Sequence, residues 1–240
     1  MLEVKSVSLS IDKKQILSDV SFSAEAGKIL AVCGPNGSGK TCLLKVIKGL
    51  LKEDGGSVSL DGRELKVSER LASIGLVFQD ADVQTVGETV EKDVMFGPRN
   101  LGWDKETVNK NTEEALALLN LQDVRTKRPQ VLSGGERRCL AIAGVLAMKT
   151  GTVLMDEPFA NLDYPSVQRV LKAVLKLREE GICVIIVSHD IERFLAHADN
   201  VLVLDGGKKV FFGEPARALK VMGEHAIHVP DLPAEKLTWL

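Results

Sequence analysis

The chain has 240 residues, 45% of them hydrophobic, with 31 basic against 33 acidic side chains and a formal net charge of −2. That length supports one sizeable core, divided at most into lobes, and the near-neutral balance gives no electrostatic case for a nucleic-acid partner. No apolar run approaches the roughly 18 residues of a membrane-spanning helix, and the N-terminus carries no signal-peptide pattern.

Residues 1–33 alternate as strands do: LEVKSVSLSI, a turn at IDKK, then QILSDVSFSA. The run KILAVC that follows reads as a buried strand. GPNGSGKT at 34–41 comes directly after it and opens TCLLKVIKGLL, which has helical apolar spacing. A strand, a glycine-rich loop and a helix start in that order form a phosphate cradle. Gly34, Gly37 and Gly39 permit turns that a Cβ would obstruct, with Pro35, Asn36 and Ser38 between them. Lys40 is placed for the β- and γ-phosphates of ATP, and the Thr41 hydroxyl for Mg²⁺. SVSLDGREL adds another strand and turn. From Gln79 to about Met148 the chain is mainly helical, and WDKETVNKNTEEALALLNL has clear i, i+3, i+4 spacing. LSGGE at 132–136 begins a further helix, with Ser133 and Glu136 spaced as a capping box. VLMDEP at 153–158 is an apolar strand that ends in two carboxylates. Asp156 is expected to bind Mg²⁺, and Glu157 to polarise the attacking water. Two βα units are expected to follow. The first pairs VLMDEP with a helix near PSVQRVLKAVLKLREEG, and the second pairs ICVIIVSHD with a helix from Ile191. Strands alternating with helices predict a mostly parallel sheet.

Six motifs in fixed order, GPNGSGKT, FQD, LSGGE, VLMDEP, NLD and VSHD, resemble the ATP-binding cassette (ABC) ATPases over about residues 1–212, leaving 213–240 as a short tail. The resemblance implies an α/β fold: a P-loop NTPase, RecA-like core with an antiparallel β subdomain and a helical signature subdomain at about 80–148. It implies that Gln79 and His189 complete the γ-phosphate shell, with Gln79 also near the metal. It also implies that Ser133, Gly134 and Gly135 cap the nucleotide of a partner cassette, with Asp163 at the seam between the two. A neutral His189 imidazole suits a bridge between phosphate and water.

DADVQTVGETVEKDVMFGPRNLGW, after Gln79, and IAGVLAM, after LSGGE, look like the energy-coupling factor (ECF) transporter ATPases, the cobalt/nickel and vitamin importer group. That likeness implies a second ATPase subunit, identical or related, an integral-membrane scaffold gripped by residues 80–96, and a separate membrane subunit that binds the substrate. It places the chain at the cytoplasmic face of the cell membrane, held there by partners. Cys33, Cys42, Cys139 and Cys183 lie singly, without metal spacing, as suits a reducing compartment. Alternatives are a soluble ABC-type regulatory ATPase, against which stand the single cassette and the lack of a coiled-coil insertion, and a small-molecule kinase, against which stand LSGGE and His189.

Three positions depart from the family pattern. Ile11 falls where an aromatic ring usually stacks on adenine, so the base is expected to keep apolar contact with Ile11 and to lose stacking. Cys42 replaces a second hydroxyl, and a thiol is a poor donor. Cys139 replaces an arginine and is expected to remove one charge near the seam. In the tail, GKKVFFGEPARAL resembles a last hairpin and the start of a helix, and Trp239 is expected to pack as an anchor.

Overall fold

The computed structural model describes residues 1–240, the side chain of Asp82 excepted. Strands β1 (Leu2–Ile11) and β2 (Lys14–Ala24) form a hairpin. Its two-residue turn places both Asp12 and Lys13 at positive φ, 49° and 65°, the mirror-image turn whose twist matches that of paired strands. Strands β4 (Gly55–Leu60) and β5 (Arg63–Glu64) complete a four-stranded antiparallel sheet in the order β2-β1-β4-β5.

The second sheet has six strands: β3 (Ile29–Cys33), β6 (Ile74–Val77), β7 (Thr152–Asp156), β8 (Cys183–Val187), β9 (Asn200–Asp205) and β10 (Lys208–Gly213). Their spatial order is β10-β9-β3-β8-β7-β6, parallel except for β10 at one edge. Every residue of β3, β7 and β8 is buried, as a sheet covered on both faces requires. The period of two divides each strand between two cores. Ile29, Ala31, Val153, Met155, Val184 and Ile186 face one core, shared with the helices of residues 90–179. Leu30, Val32, Leu154 and Ile185 face the other, shared with the antiparallel sheet and α1 (Lys40–Lys48).

After α2 (Val67–Ser73) and β6, the chain leaves the sheet for α3 (Val90–Asn100), α4 (Lys105–Leu118) and α5 (Gly134–Ala147), and returns at β7. Asp104 starts α4 by accepting the Thr107 N–H at 3.0 Å, an N-cap of the usual kind. Helix α6 (Tyr164–Glu179) follows β7, and α7 (Pro215–Glu224) follows β10.

The helix expected from Ile191 is absent. Ile191–Arg193 and Leu195–His197 are single 3₁₀ turns. Phe194 between them has φ −149° and ψ −6°, which no helix accepts. Its ring is fully buried and lies 5.3 Å from that of Phe159. Core packing of one side chain therefore overrides the local preference. Trp239 packs against the core, as expected of an anchor.

Candidate functional site

In parallel sheets, ligands bind beyond the carboxyl ends of the strands. Here β3, β8, β7 and β6 are consecutive neighbours, and each carries a motif just past its end: Gly34 after β3, His189 after β8, Glu157 after β7 and Gln79 after β6. Segments more than a hundred residues apart in sequence thus meet along one edge. Gln79, Glu157 and His189 line a cavity of about 520 Å³ together with Lys14, Ile16, Asn36, Gly37, Gly39, Lys40, Thr41, Cys42, Asp156 and Val187.

The loop at 34–39 is held by close approach. A Cβ on Gly34 would lie 2.2 Å from the Leu204 carbonyl and 2.5 Å from Ser38 Oγ. Gly37, at φ 81°, has open space where its Cβ would be, so its backbone is free to face a ligand. Ser38 is buried and is not among the residues that line the cavity, while Pro35 offers its carbonyl to the Lys40 ammonium at 3.0 Å. Lys40 Nζ also donates to the Gly34 carbonyl at 2.7 Å. Burial lowers the Lys40 pKa, and the Glu157 carboxylate opposes that shift. Helix α1 starts at Lys40 with no side-chain cap, so its first N–H groups are available to an anion.

The Asp156 carboxylate is buried, and its Oδ1 has no hydrogen-bond partner. Burial raises its pKa, opposed by a hydrogen bond to the Thr41 side chain. Glu157 takes φ 49°, a left-handed conformation that costs a non-glycine residue roughly 1–3 kcal/mol and that often marks functional sites. It is fixed from three sides: its N–H donates to the Val187 carbonyl at 2.8 Å, Ser188 Oγ donates to its Oε2 at 3.1 Å, and His189 Nδ1 lies 2.9 Å from its Oε1. The hydrogen bond to Glu157 raises the pKa of His189, partly offset by burial.

LSGGE lies elsewhere. Ser133 caps α5, accepting the Glu136 N–H at 3.2 Å, and Glu136 returns the bond to the Ser133 N–H at 2.8 Å, the expected capping box. Ser133 and Gly134 are exposed. Gly134 lines a second cavity of about 370 Å³, where Gln79 is the residue shared with the first. Gly135 packs on Ser166, whose Oγ would lie 2.9 Å from an added Cβ. Asp163 caps α6 through the Ser166 N–H at 3.1 Å. The P-loop, Asp156, Glu157, Gln79 and His189 are therefore brought together, whereas Ser133, Gly134, Gly135 and Asp163 do not line that cavity.

Two positions that depart from the family pattern sit as follows. Ile11 pairs with Lys14 across the hairpin turn, is 39% exposed and is not among the residues that line the P-loop cavity. Ile16, three positions past the turn and on β2, lines it together with Val187. Cys139 is fully buried in the core, and burial pushes its thiol up to about 11, so that position presents no surface charge. Arg137 and Arg138 supply the guanidiniums of the second cavity instead.

Arg138 was not singled out by sequence reasoning. It is buried, and it donates to the Phe78 carbonyl at 2.8 Å and to that of Gln79, tying the Gln79 loop to the helix that begins with LSGGE. A charged residue facing into an otherwise apolar stretch was the available signal.

A phosphate cradle, a buried aspartate and a constrained Glu–His pair at adjacent strand ends, with a capped helix start on a separate lobe, define an ATP-binding cassette. Residues 17–160 match the family model described as ABC transporter, and the chain belongs to that family of transport ATPases. It is 44% identical over 203 residues to a putative ABC transporter ATP-binding protein of Pyrococcus horikoshii, covering 83% of this chain and 78% of the relative. It is 36% identical over 221 residues to the energy-coupling factor transporter ATP-binding protein EcfA of Methanococcus maripaludis, covering 90% and 80%. Among solved structures it resembles cbiO1 from Clostridium perfringens, described as part of the ABC transporter complex cbiONQ, with TM-score 0.82, 28% identity and coverage of 94% and 95%.

Proposed function

We propose that this chain is the ATP-hydrolysing motor of an ECF-type importer, coupling nucleotide turnover in a pair of cassettes to uptake of a vitamin or transition-metal ion. The observation that carries the chemistry is the Glu157 carboxylate, locked at a left-handed φ between Ser188 and His189 and beside the P-loop. Glu157 takes a proton from water as its oxygen attacks the γ-phosphorus. The bond to the bridging oxygen breaks, and ADP leaves with that electron pair. His189 orients the water and the γ-phosphate, and Gln79 closes the shell. Lys40, Thr41, Cys42 and the backbone of 34–39 hold the phosphates, and Ile16 is the apolar contact for the base.

The site fits Mg²⁺. Asp156 Oδ1 is buried without a partner, and the Thr41 hydroxyl and the Gln79 amide share its cavity, a set of oxygen donors that suits a hard cation. When bound, the ion neutralises charge on the phosphate oxygens.

Ser133, Gly134, Gly135 and Asp163 serve the nucleotide of a second cassette, a reading supported by the exposure of Ser133, Gly134 and Asp163 and by the absence of all four from the lining of this chain's own P-loop cavity. We read residues 1–212 as the cassette and 213–240 as a tail folded back onto it. Among the described residues no helix is long and apolar enough to cross a membrane; in this reading, attachment to the cytoplasmic face of the membrane runs through the scaffold and the substrate-binding subunit. The scaffold docks at a cleft of about 300 Å³ lined by Phe78, Val86, Phe96 and Met148, where Phe96 is 49% exposed. The likeness of residues 80–96 to the ECF group, and the EcfA and cbiO1 relatives, support this reading.

The test is affinity purification of the tagged chain from detergent-solubilised membranes. Recovery of a second cassette with two integral membrane proteins is expected. A soluble protein that hydrolyses ATP and brings no membrane subunit with it would refute the transport reading.

A further inference from the structure

The segment after His189 has no α-helix to hold it, so its position depends on outside contacts. Arg193 is the centre of those contacts. Its guanidinium donates to the Phe159 carbonyl, two residues past Glu157, and pairs with Asp190 Oδ2 at 3.1 Å, one residue past His189. The same guanidinium lies 4.5 Å from the centroid of the Trp239 ring. Arg193 thus joins the two catalytic loops on one side and meets the last segment of the chain on the other.

Trp239 is itself fixed. Its N–H donates to the Arg193 carbonyl at 3.1 Å, its carbonyl accepts from Gln168 Nε2 at 3.1 Å, and its ring lies 5.5 Å from that of Tyr164, the residue after Asp163. The preceding residues hold the approach. The Ala196 N–H donates to the Leu237 carbonyl at 3.0 Å, His197 Nε2 lies 2.7 Å from Thr238 Oγ1, and the Leu237 side chain is buried. An arginine with its guanidinium carbon over an aromatic ring and its N–H groups on oxygen acceptors loses much of its rotamer freedom.

We propose that residues 234–239 brace the catalytic loops. In this arrangement Arg193 is a positioning residue for Glu157 and His189, and Trp239 holds Arg193 in place. The segment reaches the loops of Glu157, Asp163 and His189 but lines no part of the nucleotide cavity. Loosening it should slow hydrolysis without weakening ATP binding. This inference rests on Glu157 and His189 being the hydrolytic pair.

The test uses the full chain with three variants, Trp239→Ala, Trp239→Phe and Arg193→Lys, and Glu157→Gln as a control. ATPase rates at saturating Mg-ATP, ATP affinity by titration and hydrogen exchange by mass spectrometry are compared. Trp239→Ala and Arg193→Lys should lower kcat by about three- to tenfold, the scale of one partly buried cation–π contact expressed in a barrier. ATP affinity should stay within about twofold. Amides of residues 188–197 should exchange faster, and those of 34–41 should not change. Trp239→Phe, which keeps an aromatic face, should restore most of the rate. Unchanged kcat and exchange in Trp239→Ala would overturn the brace. So would equal losses of binding and hydrolysis, which would mean that the segment only supports the fold. If Glu157→Gln hydrolyses ATP at the wild-type rate, the catalytic reading has failed, and the exchange data still decide whether Trp239 holds the loop.

Discussion

Replacing Glu157 with Gln separates chemistry from architecture. Gln can keep the local bonds: its carbonyl can accept from Ser188 Oγ, and its amide can donate to a neutral His189 Nδ1, which now lies 2.9 Å from the carboxylate. What is lost is the charge on one acceptor. A hydrogen bond to a charged group contributes about 1.5–3 kcal/mol and a neutral one about 0.5–1.5, so the pair weakens by roughly 1 kcal/mol. Relief from burying the Glu157 carboxylate, which is 7% exposed, offsets part of that loss. For a chain of this length 1 kcal/mol moves Tm by about 2–4 °C, which sets the largest expected shift. The rate behaves differently. Losing a general base costs roughly 10²–10⁴, or about 3–5 kcal/mol of barrier, whereas ATP binding through Lys40 and Thr41 is untouched. The assays are steady-state phosphate release at saturating Mg-ATP, ATP titration and thermal unfolding of the two proteins. A fall of less than about tenfold in kcat, with affinity and Tm intact, would show that Glu157 does not take the proton. The same variant tests His189. Its pKa is raised chiefly by the Glu157 hydrogen bond, so the pair contributes stability that is complete below the unfolded-state pKa and is lost as pH rises through the folded-state value. The Tm gap between wild type and variant should therefore be widest at the acid end of the histidine range and narrow above it.

Asp156→Asn should raise Tm at neutral pH while abolishing hydrolysis. The raised pKa of the buried carboxylate means that its ionised form costs stability above the ordinary carboxylate range, and Asn keeps an oxygen for Thr41. A lower Tm would contradict this. Ser133→Arg should cut hydrolysis sharply and leave ATP binding to the isolated chain unchanged. Loss of the helix cap should also cost about 1 kcal/mol in thermal unfolding, and an equal loss of ATP binding would mean that LSGGE serves its own chain's nucleotide. Ile16→Ala should weaken ATP binding by roughly 1 kcal/mol, the scale of a partly buried aliphatic side chain, while Ile11→Tyr should leave affinity unchanged. Tighter binding by Ile11→Tyr would place the base at Ile11 after all.

Local chemistry made much of this protein legible in its sequence. The Gly34–Gly39 loop, the Ser133–Glu136 capping box, the apolar strands that lead to Asp156 and His189, and the hairpin turn at Asp12–Lys13 are each specified by neighbours in the chain, because backbone conformation, capping and strand periodicity are short-range effects. That Ile16 rather than Ile11 lines the P-loop cavity was not legible, because distance in sequence from a motif does not give the face of a twisted strand after a turn. The burial of Cys139 was not legible, because a helical motif does not reveal which side of the helix a lobe will bury. The helix expected after His189 failed for the same reason: the buried Phe194 ring meets Phe159 and turns the backbone out of the helical region. Arg138 and Arg193 take their roles from carbonyls that are dozens of residues away in sequence and adjacent only after folding. Motifs fix which groups the chain carries. The order of the parallel strands, set by burial of both faces of the sheet, decides which of those groups meet.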